Sequence, residues 1–317
     1  MTAGAAAWPL MADAQDRRPA RIGWLKIQDR SETPGWLRSF VAGLQTLGHE
    51  PQRSYMLVER YADGDASRLA ALAGELVREG VSVIVATSQP ATEAAAKATS
   101  SVPIVGRMTD DPVAHGMAVS LGQPGRNVTG VYTLLEAMSP KRLALLHQAI
   151  PSLRRVGMLL RHDRGATTHW LRETEAAARP LNLDIHIMEA SSPAELDSVF
   201  AQAAQARVDA FLAFRNPTIV THHRRVIELS HRYRMPGIFD AREFADAGAL
   251  LSYGPNLDDL FGRAAPYVDK ILRGIPPGSL PIEQPTRFEL VVNLRTARSL
   301  GIEVPPALLV SADEVIE

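Results

Sequence analysis

Three short stretches of the sequence combine residue types that suit the capture of a small charged molecule. Thr87-Ser88-Gln89-Pro90 puts hydroxyl and amide side chains at the end of an apolar run, followed by a proline and an alanine-rich segment. That is the order of an N-capped helix with proline in its first turn, and the free N–H groups of such a helix attract a carboxylate. Ser88 is equally suited to capping its own helix, and the sequence leaves the two roles open. Asp110-Asp111-Pro112 reads as another helix start, where the dipole favours acidic residues and capping is the better match. Arg161 and Arg215 close two further apolar runs. Two guanidinium forks at neighbouring strand ends would clamp an anionic group, unless a salt bridge across the cleft consumes them.

Signals for catalysis are weak. The chain has no GxGxxG, GxSxG or HExxH segment and no Walker-type glycine loop, so nothing indicates a phosphate cradle, an activated serine or a zinc helix. His222 and His223 are adjacent in a polar, arginine-rich stretch. Neighbouring helical residues point about 100° apart and share no ligand face. Cysteine is absent, which excludes disulfides and thiolate sites. No metal or other cofactor is expected. Lys and Arg total 34 against 35 Asp and Glu, a net charge of −1. Without a basic excess, a general nucleic-acid binder is disfavoured.

The candidate residues need elements to hold them. The 317 residues are 46% hydrophobic and 22% charged, ordinary for a globular chain of two domains at roughly 150 residues each. From Arg21 onward, β-branched apolar runs alternate with helical patterns. Strands are read at 21–26, 54–61, 82–86, 103–105 and 128–133, and again at 156–160, 185–188, 210–214, 237–239 and 250–253. Helical stripes lie between most of them. Apolar strands flanked by helices imply parallel sheets covered on both faces, here as two successive five-strand α/β arrays. A helix follows at 257–273, where Pro266 predicts a kink or a split. A proline-rich connection and a last strand–helix unit, 288–294 and 296–300, complete the chain. Because ligands bind outside the C-terminal strand ends of open parallel sheets, the candidate site residues are Gln28 and Asp29; Thr87, Ser88 and Gln89; Arg107, Thr109, Asp110 and Asp111; Arg161 and His162; Arg215 and Asn216; Asp240 and Arg242. Phe239 and Tyr253 add rings for an apolar body.

The first residues differ from the rest. An apolar stretch, Ala3 to Met11, precedes Ala12-Asp13-Ala14, a small-x-small triplet that resembles a secretory cleavage site without a basic n-region. Residues 1–20 are therefore expected to be a signal remnant. The apolar runs elsewhere are too short to span a membrane.

On these residues the chain resembles the periplasmic substrate-binding proteins of ABC importers, in the subfamily that includes aromatic-amino-acid binders. The resemblance rests on the AAAWPL leader, the first helix of FxxGLxxLGH type, and the segments LSYGPNLDDLF, YVDKILRG, PIEQPTRFELVVNLRTARSLG and SADEVIE. It implies a type I periplasmic-binding-protein-like fold of two Rossmann-like lobes with a ligand cleft between them, delivering a small solute to an inner-membrane ABC permease. It further implies a periplasmic, non-enzymatic, monomeric protein. The lobes would comprise residues 21–135 with 255–275, and residues 136–254, with the tail 276–317 left unassigned. The family's ligand contacts fall on the loops at Gln28–Asp29, Thr87–Gln89, Thr109–Asp111, Asn216 and Phe239–Asp240. Ser88-Gln89-Pro90 stands where the family usually has Gly-Thr-Pro, Arg107 intrudes in a usually apolar strand, and Arg161-His162-Asp163 replaces an Asn-Pro pair. The ligand is therefore expected to differ from that of the best-known members, as an organic anion or zwitterion with an apolar body. Two rival readings are an effector-sensing domain of a transcriptional regulator and a two-domain α/β enzyme. The first needs a DNA-binding head, and about 20 residues before the first strand are too few for one. The second lacks an activated nucleophile or metal signature.

Overall fold

The structure, a computed structural model, describes residues 19–31, 34–133, 138–161 and 166–317. The apolar leader with its Ala12-Asp13-Ala14 triplet, and His162, lie outside the described residues. The first lobe is a five-stranded sheet of β1 (Ala20–Lys26), β2 (Tyr55–Tyr61), β3 (Val83–Ala86), β4 (Ile104–Met108) and β5 (Val128–Tyr132), in the order β2-β1-β3-β4-β5 and parallel throughout. Its helices are α1 (Pro34–Thr46), α2 (Leu69–Arg78) and α3 (Gln89–Ala98). The second lobe repeats that order. Its strands β6 (Arg155–Leu160), β7 (Asp184–Glu189), β8 (Ala210–Ala213), β9 (Gly237–Phe239) and β10 (Leu251–Pro255) run β7-β6-β8-β9-β10. The helices α4 (Ser139–Ala149), α5 (Ala166–Ala178), α6 (Leu196–Gln205), α7 (Pro217–Thr221), α8 (His223–Arg232) and α9 (Arg242–Asp246) belong to this part of the chain. The polar, arginine-rich stretch around His222 and His223 thus forms two helices, parted at His222.

The strands are buried as their composition requires. In β3, β4, β5, β8 and β9 every residue is buried, which is how strands covered on both faces lose the alternation of a half-exposed sheet. Trp24 of β1 is 1% exposed and packs its ring 5.4 Å from Phe40 of α1 and 5.5 Å from Phe261.

Phe261 belongs to α10 (Leu257–Leu272), which leaves β10 through the Asn256 cap and lies against α1, back on the first lobe. Pro266 neither splits this helix nor ends it. A proline removes the N–H that would serve the carbonyl four residues earlier, here that of Gly262. Gly43 of α1 packs onto that carbonyl so closely that a Cβ on it would stand 2.6 Å from Gly262 O. The carbonyl that lacks its helical donor is thus the one against which the neighbouring helix seats.

After α10 the chain runs along the first sheet. The Thr129 hydroxyl donates to Leu280 O at 2.8 Å, and Glu283 exchanges backbone bonds with Gly130 and Tyr132. It then adds β11 (Phe288–Asn293) antiparallel to β10, followed by α11 (Leu294–Leu300), α12 (Pro306–Ser311) and β12 (Glu314–Ile316), which extends the second sheet to seven strands. The tail therefore divides between the lobes. The antiparallel β11 is the exception to otherwise parallel sheets, and α12 and β12 are too short to leave a periodic signal in the sequence. Among the described residues, no helix is long and apolar enough to cross a membrane.

Candidate functional site

Strand order decides where the site lies. In a sheet wound 2-1-3-4-5, the helices following the first and third strands lie on opposite faces, and a crevice opens between those strand ends. The two crevices are between β1 and β3 and between β6 and β8. A cavity of about 260 Å³ sits where the residues following these four strands converge. Gln28 follows β1, Ser88 and Gln89 follow β3, Arg161 follows β6, and Arg215 and Asn216 follow β8; Arg107, Thr109 and Asp110 contribute from β4 and its end. Ile27, Pro90 and Val220 supply the apolar lining, and Glu93 reaches in from α3. A neighbouring cavity of about 490 Å³ shares Gln28 and Val220 and continues to His223, Arg224, Glu243 and Phe244.

Around the start of α3 the polar groups are tightly organised. Ser88 Oγ accepts from the Ala91 N–H at 3.3 Å, so Ser88 does cap its helix while also lining the cavity. Gln89 clamps two elements together. Its Oε1 accepts from the N–H of Thr109 at 3.0 Å and of Asp110 at 3.4 Å, and its Nε2 donates to Glu93 at 2.8 Å. Asn216 caps α7 through Oδ1, which accepts from the Ile219 N–H at 3.0 Å. Gln28 is 6% exposed, and its Oε1 has no hydrogen-bond partner among the described residues. Glu93, Asp110 and His115 bring ligand-type atoms within 4.8 Å of one another. Glu93 is already held by Gln89 and His115 is exposed, and nothing beyond the cluster itself points to an ion.

The opposite wall is electrostatic. Arg215 donates from Nε to Asp240 at 2.5 Å and from Nη2 to Glu243 at 2.9 Å, and lies over the Phe244 ring at 5.3 Å. The salt bridge foreseen as the alternative to an arginine clamp therefore exists, within the second lobe rather than across the cleft. Burial opposes the Arg215 charge, but the two carboxylates outweigh it and hold its pKa above the ordinary value. Burial likewise opposes ionisation of Asp240, and Arg215 followed by Arg142 more than offsets it, so its pKa is lowered. Arg107 is 2% exposed, and its Nε and Nη2 have no partner among the described residues. Burial, with Arg215 adding to it, lowers the Arg107 guanidinium to about 10 against the pull of Asp240 and Glu243.

Several residues read from sequence as site candidates lie elsewhere. Phe239 is 1% exposed and stacks on Phe244 at 4.7 Å inside the core, so it offers no ring to the cavity. Asp240 stands behind Arg215, and Tyr253 packs beside Phe288 with ring centroids 6.1 Å apart. Both follow from β9 and β10 lying beyond the switch point of their sheet. Thr87 is spent on Leu25 O at 3.2 Å, and Asp29 Oδ1 accepts from the Ser31 N–H and hydroxyl at 2.6 Å. Asp111 Oδ1 takes the Val113 N–H at 2.8 Å, starting turns in place of the expected helix. Arg242 pairs at the surface with Glu314 and Asp246. Ile27, Glu93 and Val220 went unread. Glu93 had a findable signal, because it stands one helical turn from Gln89 and shares its face.

Residues 36–316 match the family described as ABC transporter substrate binding protein. A tyrosine-binding protein of Clostridioides difficile (strain R20291) is 22% identical over 287 residues, covering 90% of this chain and 82% of the relative. The structure of an ABC domain in complex with L-Trp from Streptococcus pneumoniae superimposes with a TM-score of 0.84 at 23% identity, covering 94% of this chain and 100% of that one. The ligand-free, open structure of a substrate-binding protein with adhesive properties from Clostridium difficile gives a TM-score of 0.70 at 20% identity, covering 94% and 99%. These likenesses give the type I two-lobed fold. With a family match running from the first helix to the last strand, the chain belongs to the ABC transporter substrate-binding protein family.

Proposed function

We propose that this protein is the solute-receiving component of an ABC importer, working in the periplasm as a monomer that closes two lobes on a small organic carboxylate or amino acid and hands it to a membrane permease. The observation that carries this reading is the cavity at the paired switch points, where the start of α3, Ser88, Thr109 and the Gln28 amide converge with arginines from both lobes. Hydroxyl and amide donors at a helix start suit a carboxylate. At about 260 Å³ the cavity lies just under the roughly 300–1,000 Å³ typical of drug-sized ligands, which supports a small solute. The tyrosine named for one relative and the L-Trp bound in another support a zwitterion of amino-acid size.

A thermal-shift screen of the ligand-free protein against amino acids, aromatic and aliphatic acids, sugars and metal ions tests the reading. Stabilisation follows ligand concentration over Kd and reaches about 2.7 kcal/mol at a hundredfold excess. Acids or amino acids should raise the melting temperature. A response to neutral sugars or metal ions alone would overturn the carboxylate assignment.

A further inference from the structure

The strand β4 reads Ile104-Val105-Gly106-Arg107-Met108 and is buried at every position. A guanidinium in such a strand is costly unless paired, because a buried charge loses its hydration. Arg107 lines the cavity with two of its three nitrogens unmatched among the described residues. Its electrostatic neighbours do not supply the missing partner. Asp240 and Glu243 are held by Arg215 at 2.5 and 2.9 Å, and Arg142, itself 2% exposed, sits in the same field. Both carboxylates are thus engaged by another arginine, and the Arg107 guanidinium, in the field of Arg215, Asp240 and Glu243, is turned toward the second lobe. Ser88, Glu93 and Asp110 instead gather around the start of α3. The cavity lining includes Ile27, Pro90 and Val220 but no aromatic ring.

We propose that the solute carries a second anionic group, seated on Arg107, so that the substrates are small diacids and acidic amino acids rather than aromatic amino acids. This rests on the cavity being the solute site. One carboxylate docks at Ser88 and the start of α3, an ammonium finds Glu93 and Asp110, and the distal carboxylate completes the donors of Arg107. Arg107 is then the residue that sets specificity. A fork of fixed geometry favours a carboxylate over the isosteric amide, because the amide brings no charge and only one acceptor oxygen.

Isothermal titration of the full chain with matched pairs tests this: L-glutamate and L-glutamine, L-aspartate and L-asparagine, succinate and succinamate, with L-tyrosine and L-tryptophan alongside. The charged member of at least one pair should bind about tenfold tighter or more than its amide. Arg107→Met should erase that preference and, by removing an unmatched buried charge, raise the melting temperature of the ligand-free protein. Amides that bind as well as acids, a preference that survives Arg107→Met, or tyrosine or tryptophan binding more tightly than every diacid would each overturn the proposal. If Arg107→Met does not fold, the wild-type pairs decide alone. Binding of aromatic amino acids only, or silence across the whole panel, would overturn the second anionic group and leave the solute-carrier reading to the broader thermal-shift screen.

Discussion

Replacing Asp240 by Asn keeps its shape and removes its charge, and it should weaken the ligand-free fold more than any other neutral swap at the strand ends. Asp240 is 3% exposed, accepts from Arg215 at 2.5 Å, and lies in the field of Arg142 and Arg107. Deleting one partner of a buried pair costs roughly 3–5 kcal/mol, because the other charge is left unmatched. Glu243 retains its 2.9 Å contact with Arg215, so we expect the lower end, about 3 kcal/mol. Urea denaturation at neutral pH measures it. The pH dependence gives a second readout with a definite sign. Asp240 has a folded pKa below its ordinary value, so its contribution is present above the unfolded pKa of about 3.9 and is lost as pH falls through the folded one. The gap between wild type and variant should therefore be full at pH 6–7 and shrink below about pH 4. An Asp240→Asn protein within about 1 kcal/mol of wild type at neutral pH, or a gap unchanged in acid, would refute the claim that Asp240 holds the arginine cluster rather than the solute.

Ser88→Ala removes both the cap on α3 and a cavity hydroxyl. Affinity for the solute should fall by about 1–2 kcal/mol while stability falls by less, about 1 kcal/mol; unchanged affinity with a lowered melting temperature would reduce Ser88 to a cap. Gly43→Ala places a methyl 2.6 Å from Gly262 O and 2.9 Å from the Ala265 Cβ, so the contact between α1 and α10 should lose about 1–3 kcal/mol in thermal or urea unfolding. An unaltered transition would mean that this helix pair has slack to give.

Much of the architecture was legible because its causes are local. Runs such as Val83–Ala86 and Ala210–Ala213 are short, apolar and bounded by turn or helix signals, which is what a strand buried on both faces must look like. Ser88 before Pro90 marked the cap of α3, whereas the fourth strand was read only to Val105, with Arg107 beyond its end, and the structure carries β4 through Arg107 to Met108, as the resemblance implied. Within the site, Ser88, Thr109 and Arg215 were found by one rule, that the C-terminal ends of parallel strands carry the ligand loops. The same rule named Asp240 and Arg242, which do not line the cavity, and neither do Phe239 and Tyr253, which were added for their rings.

The difference between those two groups is not written near either of them. Every strand end has the same local grammar of an apolar run followed by small, polar or charged residues. Which ends meet depends on strand order, and that is fixed by pairings between segments far apart in the chain, such as β1 with β3 across α1, β2 and α2. Arg215 illustrates the point. From sequence its guanidinium was a ligand clamp unless an ion pair consumed it, and the ion pair fell to Asp240, 25 residues away just past the end of a neighbouring strand. Periodicity and capping chemistry depend on neighbours within a few residues, so the sequence alone determined the elements and the class of chemistry at their ends. The unmatched charge of Arg107, the matched charge of Arg215 and the position of the cavity depend on the distances between strand ends, which only the packed sheets decided.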